Sequence, residues 1–200
     1  IAHIEPLGGE RKYVEPAKGT VNPRVFIDRL AKKMPANVTV VADVGQNQIW
    51  TCTEYMFRKE GRLLTSGGMG TMGYSVPAAI GAKMADNSRA TVAICGDGAF
   101  QMSFMELATA VQFGVDIKVV VMTNNRLGMV RELQTNGYHD RQTAVFLDGS
   151  PDFIKLAEAY GIPAMRVYDD DTMEKGVEML AEHKGICLVE VVVDKVMPTL

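Results

Sequence analysis

The stretch "GDGAFQMSFMELATAVQFGVDIKVVVMTNN", residues 96–125, decides the fold class, because it joins a glycine-flanked aspartate to an apolar run that ends in two asparagines. Another apolar run, "TVAIC", precedes it. Apolar runs without polar alternation are typical of parallel strands that are covered on both faces. A helix-length segment separates the two runs, and a right-handed crossover would return the chain to the same edge of the sheet. We therefore expect Asp97 and Asn124 to follow adjacent parallel strands.

The rest of the chain repeats this pattern of strand and helix. Further strands are predicted for four apolar segments: "VTVVADVG", "ICLVEVVVD" and the weaker "RLLTS" and "AMRVY". Helices are predicted over residues 23–34, 46–58, 73–85, 100–112, 151–160 and 172–184, the first with Asn22 as N-cap and Pro23 at its first position. This order predicts an α/β fold: a doubly wound, about six-stranded, mainly parallel sheet with helices on both faces.

The first part of the chain differs in composition from the rest. Residues 5–23 contain three prolines and three glycines with little periodicity, which is typical of a linker. The segment "IAHIEPLGGE", residues 1–10, is predicted to be a short strand that runs into this linker. The chain begins at Ile1 without a methionine. We expect residues 1–22 to close a preceding domain, residues 23–200 to form one domain, and the chain to be a fragment of a longer polypeptide.

Composition excludes several classes of function. The formal net charge is −3 and there is no basic block, so binding to nucleic acid or to an anionic membrane is not expected. Since no apolar run approaches the roughly 18 residues of a membrane span, we expect a cytoplasmic protein without a membrane segment. The cysteines, Cys52, Cys95 and Cys187, lack CxxC spacing and are predicted to be buried and unreactive. The histidines are too scattered for a zinc site.

The residues at the predicted strand ends suit a hard cation. Asp97 and Asn124 offer a carboxylate and an amide oxygen, which are ligands that Mg²⁺ accepts together with backbone carbonyls and phosphate oxygens. Gly96 and Gly98 allow close approach of the backbone, and the helix expected near Ala99 would offer N–H groups to a phosphate. The simpler alternative is a tight turn with Asp97 as a helix N-cap and a left-handed turn at the asparagines. Because Asp97 and Asn124 are expected at neighbouring strand ends, we expect a site that binds a metal ion together with a diphosphate.

These residues resemble a known family. The GDG sequence, the spacing of 27 residues and the asparagine pair look like the thiamin diphosphate motif of the family that includes acetohydroxyacid synthase, pyruvate oxidase and pyruvate decarboxylase. Within it, the chain most resembles the carboxyl-terminal, cofactor-binding domain of acetohydroxyacid (acetolactate) synthase catalytic subunits, over about residues 24–193. The segments that carry this resemblance are "VADVGQNQIW", "LLTSGGMGTMGYSVPAAIGAKMA", "QMSFMELATAV", "NNRLGMVRELQ" and "PDFIKLAEAYGI".

The resemblance implies roles for individual residues. Mg²⁺ would be bound by the side chains of Asp97 and Asn124 and by the main-chain carbonyl of Arg126. The residues implied to hold the diphosphate are Gln46 and Asn47, with backbone N–H groups of Gly98, Ala99, Gly128 and Met129. The family often has histidine at the position of Asn47. The carbonyl of Gly70 would accept from the amino group of the aminopyrimidine, and Met72 would wedge between the two rings of the cofactor. Alternatively, Met72 simply fills a gap in the core.

The resemblance also implies an activity and partners. Thiamin diphosphate would decarboxylate pyruvate and pass the two-carbon unit to a second small 2-oxo acid, as in branched-chain amino acid biosynthesis. The activating glutamate of the family lies in a domain outside this chain, so no catalytic residue is assigned here, and Glu54 and Glu106 are interpreted as surface helix residues. We expect an inactive fragment of a homodimer or homotetramer that assembles through the thiamin site. A regulatory subunit and FAD belong to the full-length protein of this family.

One residue bears on the acceptor substrate. Leu133 stands where synthases that prefer 2-oxobutyrate usually carry tryptophan, which implies little such preference here; alternatively, Leu133 is an apolar residue on a helix packed against the fold.

Other functions remain open. The chain could belong to another thiamin diphosphate enzyme, namely a 2-oxo acid decarboxylase, an oxidase or an acyl-CoA lyase, or to a homologue without turnover. A non-catalytic module that binds Mg-nucleotide predicts a GxxxxGK[ST] or GxGxxG turn, and "GGMGTMG" lacks the lysine.

Overall fold

The sheet of the computed structural model, which describes residues 13–200, confirms the predicted fold class. Within these residues six parallel strands form one sheet in the order β2-β1-β3-β4-β6-β5. The strands are β1 (Thr39–Ala42), β2 (Arg62–Thr65), β3 (Thr91–Gly96), β4 (Lys118–Thr123), β5 (Ala164–Val167) and β6 (Cys187–Val192). The chain leaves β1 toward one edge of the sheet and leaves β3 toward the other. The sheet is therefore doubly wound, with its switch point between β1 and β3.

Helices cover both faces of the sheet. They are α1 (Pro23–Lys33), α2 (Gln46–Glu54), α3 (Ser75–Ala85), α4 (Asp97–Gln101), α5 (Leu107–Gln112), α6 (Gly128–Gly137), α7 (Phe153–Ala159) and α8 (Asp170–Glu182), with a 3-10 turn at Phe104–Glu106. Successive strand residues point to opposite faces. Val40 packs with side chains of α1, α2 and α8 in one hydrophobic core, while Val41 packs with α3, α5 and α7 in the other. The two cores fix the sheet between two helical layers.

The first helix begins as the sequence predicts. The Asn22 side chain accepts hydrogen bonds from the backbone N–H groups of Arg24 (2.9 Å) and Val25 (3.4 Å), and Pro23 occupies the first helical position. This cap satisfies donors that the first turn of a helix leaves free. Residues 13–22 are irregular, as expected of a linker. The strand predicted within residues 1–10 lies outside the described residues.

Two predictions about helices were wrong in detail, and one helix was missed. The helix predicted over 100–112 is two short helices, α4 and α5, because the chain turns at Ser103, where φ is −144°. The helix predicted over 46–58 ends at Glu54, since the ring of Tyr55 turns into the core and packs on Phe57. Helix α6 was not predicted, because its sequence is polar and begins and ends with glycine. Each difference follows from a tertiary contact or from weak periodicity.

Two predictions about burial were also wrong. Cys95 and Cys187 are buried as expected, but Cys52 is exposed on α2. Burial raises the pKa of all three thiols, that of Cys187 to about 11. Glu54 is not a surface residue, because it faces α1, where its carboxylate pairs with Arg24 at 3.5 Å and accepts from the Tyr13 hydroxyl at 3.2 Å. Across residues 13–200, none of the helices has the length and apolar character that a membrane span requires.

Candidate functional site

A cavity lies at the carboxyl ends of β1, β3 and β4. Because the connections after β1 and β3 run in opposite directions, a crevice opens between them, and this is where open parallel sheets bind ligands. Ten of the residues implicated by the sequence line this cavity: Gln46, Asn47, Met72, Asp97, Gly98, Ala99, Asn124, Arg126, Gly128 and Met129. The structure therefore brings together residues from four separate segments of the chain.

Asp97 is the buried carboxylate of this cavity. Its Oδ2 accepts hydrogen bonds from the backbone N–H groups of Asn124 (3.1 Å) and Asn125 (2.6 Å), and its Oδ1 accepts from that of Gly98 (2.8 Å). The ends of β3 and β4 are thus adjacent, as the sequence predicts. Burial raises the pKa of Asp97 to about 6, although these three hydrogen bonds act in the opposite direction. A cation beside the carboxylate would stabilise its charged form.

The asparagine pair forms a tight turn above Asp97. Asn125 has φ of 54°, so the left-handed turn considered for this pair is present. The Oδ1 atom of Asn124 accepts from the backbone N–H of Arg126 at 3.0 Å, while its Nδ2 donates to Oε1 of Gln46 at 3.2 Å. The Arg126 guanidinium bonds to Asp148 at 2.8 Å. Asp97 is not the N-cap of α4, because it is the first residue of that helix. The N-cap position is occupied by Gly96, which makes no side-chain capping hydrogen bond.

Two glycines let the walls of the cavity come close together. A Cβ atom at Gly98 would lie 2.6 Å from Cδ2 of Leu127 and 3.3 Å from Cε of Met72. A Cβ atom at Gly128 would lie 1.9 Å from Oε1 of Gln46. Helices α2 and α6 start at the cavity, and the N–H groups of a first helical turn have no partner within the helix. Helix α4 has only five residues, so it contributes local N–H groups and little macrodipole.

The side-chain amides of Gln46 and Asn47 are both engaged within the protein. Asn47 Nδ2 donates to the carbonyls of Asp43 (2.8 Å) and Ile94 (3.2 Å). Gln46 Nε2 donates to the Met197 carbonyl at 2.9 Å and has two further acceptors within 3.3 Å. Both side chains line the cavity, and their amide hydrogens hold neighbouring segments in place.

Asp43 is a site residue that the sequence analysis missed. It is buried at the end of β1, and its carboxylate accepts from the backbone N–H groups of Val44 (2.9 Å), Gly73 (3.0 Å) and Ser75 (2.7 Å). These bonds tie the glycine-rich turn before α3 to the end of β1. A signal was available, because Asp43 follows a buried strand in the same way as Asp97 does.

The remaining predicted residues lie in different surroundings. Met72 is half-buried, packs against the core that contains Val41 and also lines the cavity; its role between the cofactor rings stays a prediction. Gly70, with φ of 64°, is exposed outside the cavity lining. Leu133 is 61% exposed on α6, so the alternative that it packs against the fold is wrong for the described residues. Glu106 is half-buried and accepts from the Thr109 hydroxyl at 3.2 Å.

The donor set at the cavity fits Mg²⁺. Among residues 13–200 there is no group of three or more His, Cys, Asp and Glu side chains that could hold a metal ion. A cation beside Asp97 would therefore have one carboxylate, the amide oxygen of Asn124 and backbone carbonyls as its protein ligands. Hard cations that retain phosphate and water ligands are bound in this manner.

Comparison with known proteins agrees with the fold and the cavity. A family model described as "Thiamine pyrophosphate enzyme, C-terminal TPP binding domain" matches residues 43–191. The acetolactate synthase large subunit of Lactococcus lactis is 38% identical over 181 residues, which cover 90% of this chain and 31% of that protein. The mitochondrial acetolactate synthase catalytic subunit of Aspergillus candidus is 39% identical over 185 residues, covering 91% and 26%.

A probable acetolactate synthase large subunit of Methanocaldococcus jannaschii is 39% identical over 191 residues, which cover 96% of this chain and 32% of that protein. The chain thus spans about a third of the length of these curated relatives. The match begins directly after β1 and covers β3, β4 and both halves of the Asp97 and Asn124 pair. The chain belongs to the thiamine pyrophosphate enzymes, as a C-terminal TPP-binding domain that is similar to the corresponding part of acetolactate synthases.

Proposed function

We propose that this chain is the cofactor-binding part of an acetolactate synthase, which decarboxylates pyruvate and joins the two-carbon unit to a second 2-oxo acid. The observation that carries this proposal is the pairing of Asp97 with the Asn124 turn at the ends of β3 and β4, beside the switch point of the sheet. The names of the relatives support the acetolactate synthase assignment within the thiamin family. This proposal concerns the complete polypeptide, of which the chain supplies one part.

Mg²⁺ has a defined place in this proposal. Asp97, the Oδ1 of Asn124 and the main-chain carbonyl of Arg126 would hold it, and the diphosphate would supply further oxygen ligands. Backbone N–H groups of Gly98, Ala99, Gly128 and Met129 would bind the diphosphate oxygens. Gln46 and Asn47 would contribute through the first turn of α2, since their side-chain amides already have protein acceptors. The metal would thus link the diphosphate to the ends of β3 and β4.

The protein's own residues orient the cofactor and shelter it from water. Bound thiamin diphosphate supplies a carbon nucleophile that also serves as an electron sink. Met72 would support the bent shape of the cofactor, and the Gly70 carbonyl would accept a hydrogen bond from its amino group. Asp43 holds the turn that carries both residues. The apolar side chains of Val44, Trp50, Met122 and Val193 line the cavity and limit its access to water.

The proposal also includes partners and location. A glutamate from another domain would activate the cofactor, so the active form would be a homodimer or homotetramer that assembles at the thiamin site. Exposed apolar side chains on the segment between β3 and β4 are consistent with contacts to another chain, namely Met102, Met105, Val111 and Phe113. FAD and a regulatory subunit would bind the complete protein outside this chain. We also infer a cytoplasmic location for the complete protein.

The experiment that tests this function is a product assay on the complete polypeptide. The protein is incubated with pyruvate, thiamin diphosphate and Mg²⁺, and the products are identified by mass. We expect acetolactate and carbon dioxide. Acetaldehyde, acetate or an acyl-CoA as the main product would assign the chain to another thiamin enzyme, and absence of turnover with bound cofactor would identify a homologue that keeps only the fold.

A further inference from the structure

The last described residues lie behind the cavity, where they contact Gln46 and Trp50, two residues that line it. The backbone of Pro198 accepts from Trp50 Nε1 at 3.2 Å, and the Thr199 carbonyl accepts from Arg24 Nη2 at 2.7 Å. Met197 and Thr199 are 4% and 6% exposed. Residues 197–199, here called the terminal segment, are therefore packed against side chains that line the cavity.

Glu132 on α6 connects the terminal segment to the cavity. Its carboxylate accepts from the backbone N–H of Thr199 at 3.2 Å and from the Thr199 hydroxyl. The same carboxylate accepts from Nε2 of Gln46 at 3.3 Å. Glu132 thus accepts hydrogen bonds from both Thr199 of the terminal segment and Gln46 of α2.

The amide of Gln46 has a single orientation that satisfies these contacts. Its nitrogen carries two hydrogens, and it faces the Met197 carbonyl (2.9 Å), the Thr199 hydroxyl (3.1 Å) and Glu132. All three groups are acceptors. An amide rotated by half a turn would place its oxygen against them. The Oε1 atom of Gln46 is therefore directed away from the terminal segment, toward Asn124.

Gln46 in turn orients the amide of Asn124. Its Oε1 accepts from Asn124 Nδ2 at 3.2 Å, so the Oδ1 of Asn124 points to the opposite side, toward the Arg126 backbone N–H. Rotation of the Asn124 amide would bring two oxygens together at Gln46 and would turn an N–H group toward the position of the cation. Groups that orient a metal ligand in this manner commonly change metal affinity by about 10-fold to 100-fold when they are removed.

We propose that Glu132 is a positioning residue for the metal site, acting through Gln46 and the terminal segment to direct the amide oxygen of Asn124 at the cation. This inference rests on the proposed function, because it requires that Asn124 binds the metal. Glu132 itself is not among the residues that line the cavity. Its effect passes through two hydrogen bonds, from Gln46 to Glu132 and from Asn124 to Gln46.

The first test measures metal affinity directly. The complete polypeptide is titrated with Mn²⁺ at saturating thiamin diphosphate, and free Mn²⁺ is followed by its paramagnetic resonance signal. Glu132→Ala is expected to raise the dissociation constant for Mn²⁺ at least about 10-fold. Glu132→Gln, which keeps an acceptor oxygen, is expected to raise it less. Glu178→Ala, which removes an exposed carboxylate from α8, is the matched control and is expected to bind like the unaltered protein.

A second test separates orientation from general damage to the fold. Gln46→Glu places a carboxylate against Glu132, so it should weaken Mn²⁺ binding strongly. In the double variant with Gln46→Glu and Glu132→Gln, the new amide at position 132 can donate a hydrogen bond to the new carboxylate at position 46. That carboxylate also offers an oxygen that can accept from Asn124 Nδ2. The double variant is therefore expected to bind Mn²⁺ more tightly than Gln46→Glu alone. A purely structural role of Glu132 predicts that the second substitution adds further damage.

The outcomes distinguish this inference from the proposed function. If the unaltered protein binds Mn²⁺ and thiamin diphosphate together but Glu132→Ala binds them equally well, the positioning role is wrong and the proposed function stands. The same conclusion follows if the double variant binds no better than Gln46→Glu. If the unaltered protein does not bind thiamin diphosphate with Mn²⁺, both the function and the inference are contradicted.

Discussion

A single buried carboxylate, that of Asp97, provides the charge at the centre of the cavity. The segment Gly96–Phe100 carries no second acidic residue that could replace it. Asp97→Ala should therefore reduce Mg²⁺-dependent binding of thiamin diphosphate by more than about 100-fold, beyond the range for groups that only support a metal ligand. Calorimetric titration of the complete polypeptide measures this, with the exposed Asp171→Ala on α8 as control. Unchanged affinity in Asp97→Ala would remove the residue from the metal site.

Gly128 shows how closely the residues of the cavity approach each other. Gly128→Ala would place a Cβ atom 1.9 Å from Oε1 of Gln46, so the side chain must move and its hydrogen bonds must break. We expect a loss of about 1–3 kcal/mol in the free energy of unfolding. Gly81 lies inside α3 with open space around it, and Gly81→Ala should instead stabilise the chain by about 0.5–1 kcal/mol. Urea denaturation measures the free energy of unfolding of both variants, and equal effects of the two substitutions would contradict this account.

The three thiols should differ in reactivity. Cys52 is exposed, whereas Cys95 and Cys187 are buried in strands. A thiol reagent should modify Cys52 alone in the folded chain and all three after denaturation. Since partial burial raises the pKa of the Cys52 thiol above its ordinary value, the reactive thiolate is scarce at neutral pH, and the labelling rate should rise toward alkaline pH. Rapid labelling of Cys95 or Cys187 without denaturant would show that the strands open.

The sequence predicted the location of a side chain well where that side chain follows a strong strand, whereas the metal role of these residues stays a prediction. Asp97 and Asn124 were found in this way, because "TVAIC" and "KVVVMT" are unambiguous strands. Asp43 and Glu132 were not found. The role of Glu132 depends on hydrogen bonds to residues 86 and 67 positions away, and no local pattern reports such contacts. Glu54 was misjudged for a similar reason, since its partner Arg24 lies on another helix.

At the scale of elements, α6 is the helix that the sequence did not predict and that carries the acceptor hypothesis. Strand positions were predictable from their continuous apolar runs, because both faces of the sheet are covered. The polar helix α6 and the break between α4 and α5 were not predictable from the sequence, because their conformations depend on packing beside the cavity. Helix α6 begins at the cavity with Gly128 and Met129 and presents Leu133 at the surface.

This position of Leu133 leads to a prediction about substrate preference. Leu133→Trp should fold with a stability change within about 0.5 kcal/mol, because the side chain is exposed. In the complete enzyme it should raise the ratio of acetohydroxybutyrate to acetolactate when pyruvate and 2-oxobutyrate compete, since one methylene in an apolar pocket is worth about 1–3 kcal/mol. The unaltered enzyme should show little preference. A strong native preference for 2-oxobutyrate, or an unchanged ratio in the variant, would exclude Leu133 from specificity.

At the scale of the whole molecule, the chain contains a complete sheet with an open cofactor cavity. Its relatives are about three times as long, and the proposal places the activating glutamate in their remaining part. The purified chain should therefore form no acetolactate from pyruvate, while the complete polypeptide should form it as an oligomer. Sedimentation and product analysis at matched concentrations test this. Substantial turnover by the chain alone would mean that a glutamate within it activates the cofactor.

The most direct test of the central claim is a crystal structure of the complete polypeptide with thiamin diphosphate and Mn²⁺, with the metal located by its anomalous scattering. The account predicts one anomalous peak between the Asp97 carboxylate, the Oδ1 of Asn124 and the Arg126 carbonyl, in contact with the diphosphate. A diphosphate bound in the cavity with the metal on other residues, or a cofactor bound elsewhere on the fold, would contradict it.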